Sequence, residues 1–193
     1  MDSTFKDDKK VKLEQIFESG WECYEAGNQA KALAIWKEAA ELGYPKAQHF
    51  VAVCYHSGFG TEKDKTKALE WYRKAAAQNY PQSICYLADF FADGIAGVER
   101  DTDEAVRLWK KAAKLGDKEA KFILGNIYYY GNYVEQDREE AIRWYRKSAQ
   151  QLFLRAINRM HELGEWIFDP NETDSWFRTT LLNHPVILLP KSE

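Results

Sequence analysis

The chain is poor in cysteine, has no long apolar run and carries no large excess of either charge, and each shortage removes a class of protein. Cys23, Cys54 and Cys85 are odd in number and fall inside helical patterns, so they read as reduced structural thiols and not as a disulfide framework. No run of about 18 apolar residues is available to span a bilayer. Residues 1–10 have no apolar centre and do not read as a signal peptide, so a cytoplasmic protein is expected. A formal net charge of -3 supplies no concentrated basic face for nucleic acid or anionic membrane. Neither nucleic-acid binding nor membrane insertion is expected, and a basic partner is mildly favoured.

Signatures of catalysis are missing too. There is no glycine-rich phosphate loop, HExxH or nucleophile elbow. His49 and His56 stand seven apart, which on one helix separates their side chains by about 10 Å, too far to chelate one metal ion without a third element. Adjacent acids such as Asp7-Asp8 and Glu139-Glu140 diverge on a helix and read as solvated surface. No catalytic residue, metal ligand or cofactor is expected, and the chain does not read as an enzyme.

What is present is repetition. Residues 47–79, 83–116 and 120–151 overlay almost without gaps. In each, a small residue (Ala47, Ser83, Ala120) is followed by a glycine (Gly58, Gly94, Gly131), then an alanine (Ala68, Ala105, Ala141), then a small pair at Ala75-Ala76, Ala112-Ala113 or Ser148-Ala149. A period in this range marks stacked helical hairpins, each burying its apolar face against its neighbours. The small residue at Ala52, Ala88 or Gly125 permits close approach of the partner helix. Asp64, Asp101 and Asp137 are placed to cap each second helix, and Asp101 with Glu104 and Asp137 with Glu140 have capping-box spacing. Trp36, Tyr72, Trp109 and Tyr145 hold one phase and read as core staples.

Residues 13–42 return the same register with a shorter inter-helix loop, Asn28 standing as the cap before Ala32, Trp36 and Ala39-Ala40. After residue 151 the pattern weakens. One more first helix is expected over 152–163, with Ala156 in phase, and a second over 173–183, capped by Thr173 or Asp174. The closing 185–190, Pro-Val-Ile-Leu-Leu-Pro, is apolar enough to fold back on the domain or to serve as an association motif through which copies of the chain pair.

The run Ala120, Leu124, Gly125, Tyr128, Gly131, Asp137, Ala141, Trp144, Tyr145, Lys147 and Ala149 resembles the Sel1-like repeat family. So does the set Asp64, Lys67, Ala68, Trp71, Tyr72, Lys74, Ala75 and Ala76. Residues 10–45 are similar to the related tetratricopeptide repeat, with Cys23 where that family usually has an aromatic. The resemblance implies an all-α, right-handed superhelical α-solenoid that assembles complexes. The expected divisions are a flexible N-terminus at 1–9, a tetratricopeptide-like hairpin at 10–45, and Sel1-like repeats at 46–81, 82–117 and 118–152. Degenerate capping helices at 153–184 and an apolar arm at 185–193 complete the single domain.

Function is expected where the repeats differ. If first helices line a concave wall, their non-packing positions form a groove of Phe17, Trp21, Tyr24, Glu25, His49, Val53, His56, Cys85, Asp89, Asp93, Phe122, Asn126, Tyr129, Tyr130, Asn158, Glu162 and Trp166. Aromatics at both ends flank an acidic centre, complementary to a peptide with apolar anchors and a central Lys or Arg. The expected role is an adaptor binding a protein or peptide partner. The alternative is a dedicated inhibitor such as the immunity partner of a bacterial toxin, a role the resemblance admits. A β-lactamase-like hydrolase is disfavoured, because the chain lacks the paired cysteines of the family members associated with β-lactams.

Overall fold

The structure, a computed structural model, describes residues 2–165, with side chains from Asp8 onward. Trp166, the helix expected over 173–183 with its caps, and the 185–193 arm lie outside the described residues. Among the described residues there are nine α-helices and no strand: α1 (Asp2–Glu25), α2 (Gln29–Glu41), α3 (Pro45–Ser57), α4 (Lys65–Ala77), α5 (Pro81–Asp93), α6 (Thr102–Lys114), α7 (Lys118–Tyr130), α8 (Arg138–Ala149) and α9 (Leu154–Glu162). Residues 2–9, read from sequence as a flexible segment, are drawn into α1.

The chain divides into two compact units, Met1–Leu108 and Trp109–Glu193, with the boundary inside α6. In the N-terminal unit α1 packs on α2, α2 on α3, α3 on α4 and α4 on α5; in the C-terminal unit α7 packs on α8 and α8 on α9. The caps fall where the sequence places them. Asn28, Asp64, Asp101 and Asp137 each accept a hydrogen bond from the backbone N–H three residues on, at 3.2, 2.9, 2.9 and 2.9 Å. Each such cap contributes about 1 kcal/mol to its helix. Pro45 and Pro81 open α3 and α5, where a missing N–H costs nothing.

The capping boxes, however, are half-made. Glu104 and Glu140 do not return to the cap; their carboxylates hold Arg107 and Arg143 instead. The cap N–H groups are already used, Asp101 donating to the Phe91 carbonyl and Asp137 to the Tyr128 carbonyl, as Asp64 does to Tyr55. That bond closes each long inter-helix loop onto the helix before it.

The cores are built around the staples. Trp36, Tyr72, Trp109 and Tyr145 are all buried, with Ala32, Ala39, Ala68, Ala75, Ala105, Ala112, Ala141 and Ala149 fully enclosed around them. Gly125 lies so near the Tyr145 ring that a Cβ there would overlap it, and Gly20 stands in the same relation to Trp36. Close approach at this position is therefore general to the repeats, and in hairpin α1/α2 it is Gly20 that permits it. All three cysteines are free thiols, and burial pushes Cys54 up to about 11.

Candidate partner-binding faces

The expected groove residues sort into columns by burial. Phe17, His49, Cys85 and Phe122 occupy the same place in successive first helices, and all four are buried, which corrects their assignment to an open face. Phe17 sits in a ring cluster with Trp36, Tyr44 and Phe50, at centroid distances of 5.9, 6.0 and 5.2 Å. Its carbonyl accepts from Trp36 Nε1 at 3.1 Å. His49 Nδ1 shares a 3.0 Å hydrogen bond with Ser83 Oγ, and its ring lies against Phe50, Tyr72, Tyr80 and Tyr86. Burial drives its pKa down to about 4, so the ring is neutral at physiological pH. Phe122 packs against Tyr145 and Phe153.

The remaining columns reach the surface. In the N-terminal unit Trp21, Tyr24, Val53, His56 and Asp89 are half-buried, and Glu25 and Asp93 are exposed. Trp21 Nε1 donates to Glu25 Oε1 at 2.9 Å, which fixes the indole at the helix surface. His56 is ringed edge-on by Tyr72, Tyr86 and Phe90; burial, then the Lys65 and Lys63 charges, lower its pKa. The neighbouring Tyr72 hydroxyl is buried without a hydrogen-bond partner, and its pKa is raised first by burial and then by nearby Tyr86 and Asp89.

In the C-terminal unit Asn126 accepts the Tyr145 hydroxyl at 2.8 Å, and burial pushes that phenol up to about 12. Tyr129 is half-buried, and Tyr130, Asn158 and Glu162 are exposed. The sequence reading missed the residue that unites them. Arg159, on α9, lies over both tyrosine rings and donates to Tyr130 Oη at 2.9 Å and to Glu162 Oε2 at 3.0 Å. Among the described residues no group of three or more His, Cys, Asp or Glu is placed to hold a metal ion, and no helix is long and apolar enough to cross a membrane.

Antiparallel helix pairs at a regular period, with a small residue on the first helix admitting an aromatic from the second, define an all-α protein of the tetratricopeptide-related repeat class. The Sel1 repeat profile matches residues 16–44, 45–80, 81–117 and 118–151, and the chain belongs to the Sel1 repeat family. The match includes the first hairpin, so the short loop after Gly27 is a variation on the Sel1 unit and not a departure from it. A Sel1 repeat protein from Oxalobacter formigenes is similar in structure, with a TM-score of 0.70 and 28% identity over 89% of this chain and 73% of that one. An immunity protein from Pseudomonas aeruginosa is similar at a TM-score of 0.52 and 25% identity, over 68% of this chain and 48% of that one. Chitin synthase regulatory factor 3 of Schizosaccharomyces pombe is 30% identical over 101 residues, which are 51% of this chain but 11% of that protein. The chain thus spans about a tenth of that relative's length.

Proposed function

We propose that the protein is a cytoplasmic, non-enzymatic interaction module that binds a protein or peptide partner through the exposed columns of its first helices and recruits it to another component. The observation that carries this reading is the set of aromatic side chains held at the surface by their own packing. Trp21 is pinned by Glu25, Tyr24 is half-buried beside Trp21 and Trp36, and Tyr130 is tied to Arg159. Rigid, partly exposed Trp and Tyr lose little entropy on docking, and truncating one such anchor costs about 2 kcal/mol or more of binding. In the N-terminal unit Glu25, Asp89 and Asp93 add acid to the aromatic face, which favours a partner segment with apolar anchors and a Lys or Arg.

The test is capture from source-cell extract by wild type and by a Trp21→Ala, Tyr129→Ala, Tyr130→Ala variant, after circular dichroism shows both to be folded. A stoichiometric partner lost in the variant is the expected result; an unchanged partner set would sink the assignment to these columns. The likeness to an immunity protein supports a second reading, a dedicated inhibitor. That role calls for a Kd near nanomolar or tighter, where an exchanging adaptor works near micromolar, so the affinity of the captured pair separates the two.

A further inference from the structure

We infer that the face formed by α7 and α9 in the C-terminal unit docks an acidic segment of a partner protein, with the Arg159 guanidinium, framed by Tyr129 and Tyr130, as its anchor. This rests on the interaction reading above and adds to it, for the C-terminal unit, one site and one chemistry. Three observations carry it.

The first is geometric. The guanidinium carbon stands 5.7 Å from the Tyr129 ring centroid and 6.0 Å from that of Tyr130, and the Tyr130 hydroxyl accepts from it. An arginine held by two rings and a hydroxyl has already lost its rotamer freedom, so a ligand that binds it is spared that cost. The Arg159 side chain remains 27% exposed and Tyr130 is 54% exposed, so the assembly is open to a partner.

The second is that the site already holds a carboxylate. Glu162 pairs with Arg159 through an exposed i,i+3 contact, its side chain 63% accessible. Exposed pairs of this kind are worth about 0–1 kcal/mol, so an incoming carboxylate held by further contacts can exchange with Glu162 and take the same guanidinium edge.

The third is charge. Residues 109–193 carry 13 Lys and Arg against 12 Asp and Glu, close to balance, whereas residues 1–108 carry 14 against 18 and are net acidic. Next to Arg159 along α9, Arg155 is exposed and lies 5.1 Å from the Phe122 ring centroid. An acidic segment with an aromatic or apolar residue, once it displaces Glu162 from Arg159, meets two guanidiniums and the tyrosine faces.

The probe is a fluorescein-labelled peptide alternating Glu and Tyr, with a Lys-for-Glu version as control, titrated by fluorescence anisotropy at low and high salt. The acidic peptide is expected to bind at least about tenfold more tightly than its control and to weaken with salt. Glu162→Gln, which removes the competing carboxylate, should tighten binding about threefold, and Arg159→Gln should weaken it about tenfold with the circular dichroism spectrum unchanged. The gain in Glu162→Gln is the decisive reading, because a merely structural role for the pair predicts no gain; it also stands if Arg159→Gln fails to fold. Equal binding of the two peptides, no binding of the acidic one, or no gain in Glu162→Gln overturns the proposal. Should that happen while Trp21→Ala still loses the natural partner, this site falls and the interaction module stands; loss of neither points against both.

Discussion

Tyr72 in the N-terminal unit and Tyr145 in the C-terminal unit hold the same place in their repeats, eight residues after Asp64 and Asp137, yet their hydroxyls are treated in opposite ways. Tyr145 donates to Asn126 on the first helix of its own hairpin. The position that corresponds to Asn126 in hairpin α3/α4 is Val53, and the Tyr72 hydroxyl is left buried and unpaired. The ring is the invariant demand of the repeat, because it fills the gap beside the small residue; the hydroxyl is satisfied or not according to a residue that packing leaves free. Hairpins α3/α4 and α7/α8 differ again one column away, where His49 stands in the first and Phe122 in the second.

The largest effect expected from this contrast is an acid sensitivity confined to the N-terminal unit. Burial lowers His49 to about 4 from an unfolded value of 6.5, and it also lowers His56. Below pH 6.5 the unfolded chain takes up a proton that folded His49 refuses, so stability present above 6.5 is lost as pH falls towards 4. The loss from His49 is on the order of 3 kcal/mol. Urea denaturation between pH 7 and pH 4 should show it, and His49→Gln, which cannot titrate, should flatten the profile. A profile equally steep in that variant would show that the acid response comes from elsewhere.

Next in size is the close approach in the C-terminal unit. Gly125→Ala drives a methyl group into the fully buried Tyr145 ring, and overpacking of this kind costs about 2 kcal/mol even after the gain in helix propensity. At the corresponding place in the N-terminal unit Ala52 is already present and buried, so Ala52→Gly there costs about 1 kcal/mol through the backbone alone. Thermal melts of the two variants separate a steric cost from an entropic one; equal losses would mean that the Tyr145 ring yields easily.

Much of this was legible in the chain. Register alanines, cap residues and staple aromatics are fixed by local rules that act within one helix or one turn, and they read directly. The faces were less legible for a physical reason. Helical phase tells which residues share a side, but not which side the next helix covers, so Phe17, His49, Cys85 and Phe122 read as an open column although neighbouring helices bury them. Arg159 lies beside Asn158 in sequence and out of that column; its side chain is long enough to reach back to α7, and reach is not visible in spacing. Gly20 is hidden for another reason: it stands seven residues before Gly27, where Ala52, Ala88 and Gly125 stand six before Gly58, Gly94 and Gly131, so counting back from the loop glycine lands on Trp21.

The hydroxyl comparison gives a smaller pair of effects. Tyr145→Phe removes the donor to Asn126 and should cost about 1 kcal/mol, whereas Tyr72→Phe removes a hydroxyl that gains nothing from burial and should be neutral or slightly stabilising. Equal losses in urea denaturation at pH 7 would mean that Tyr72 has found a partner.

The smallest effect makes the comparison reciprocal. Val53→Asn places in hairpin α3/α4 the amide that serves Tyr145 in hairpin α7/α8. Val53 is only half-buried, so the polar group is not forced into a dry core, but the exchange forfeits part of an apolar side chain. The two terms nearly cancel, and the net change should fall within about 1 kcal/mol of zero. The single variant is therefore uninformative alone, and the measurement is a double-mutant cycle of Val53→Asn with Tyr72→Phe. If Asn at this position accepts the Tyr72 hydroxyl, the cycle yields a coupling of about 1 kcal/mol that vanishes when the hydroxyl is absent. A coupling of zero would mean that the orphan hydroxyl points away from position 53, and that the difference between the two tyrosines lies in their orientation and not in the residue opposite them.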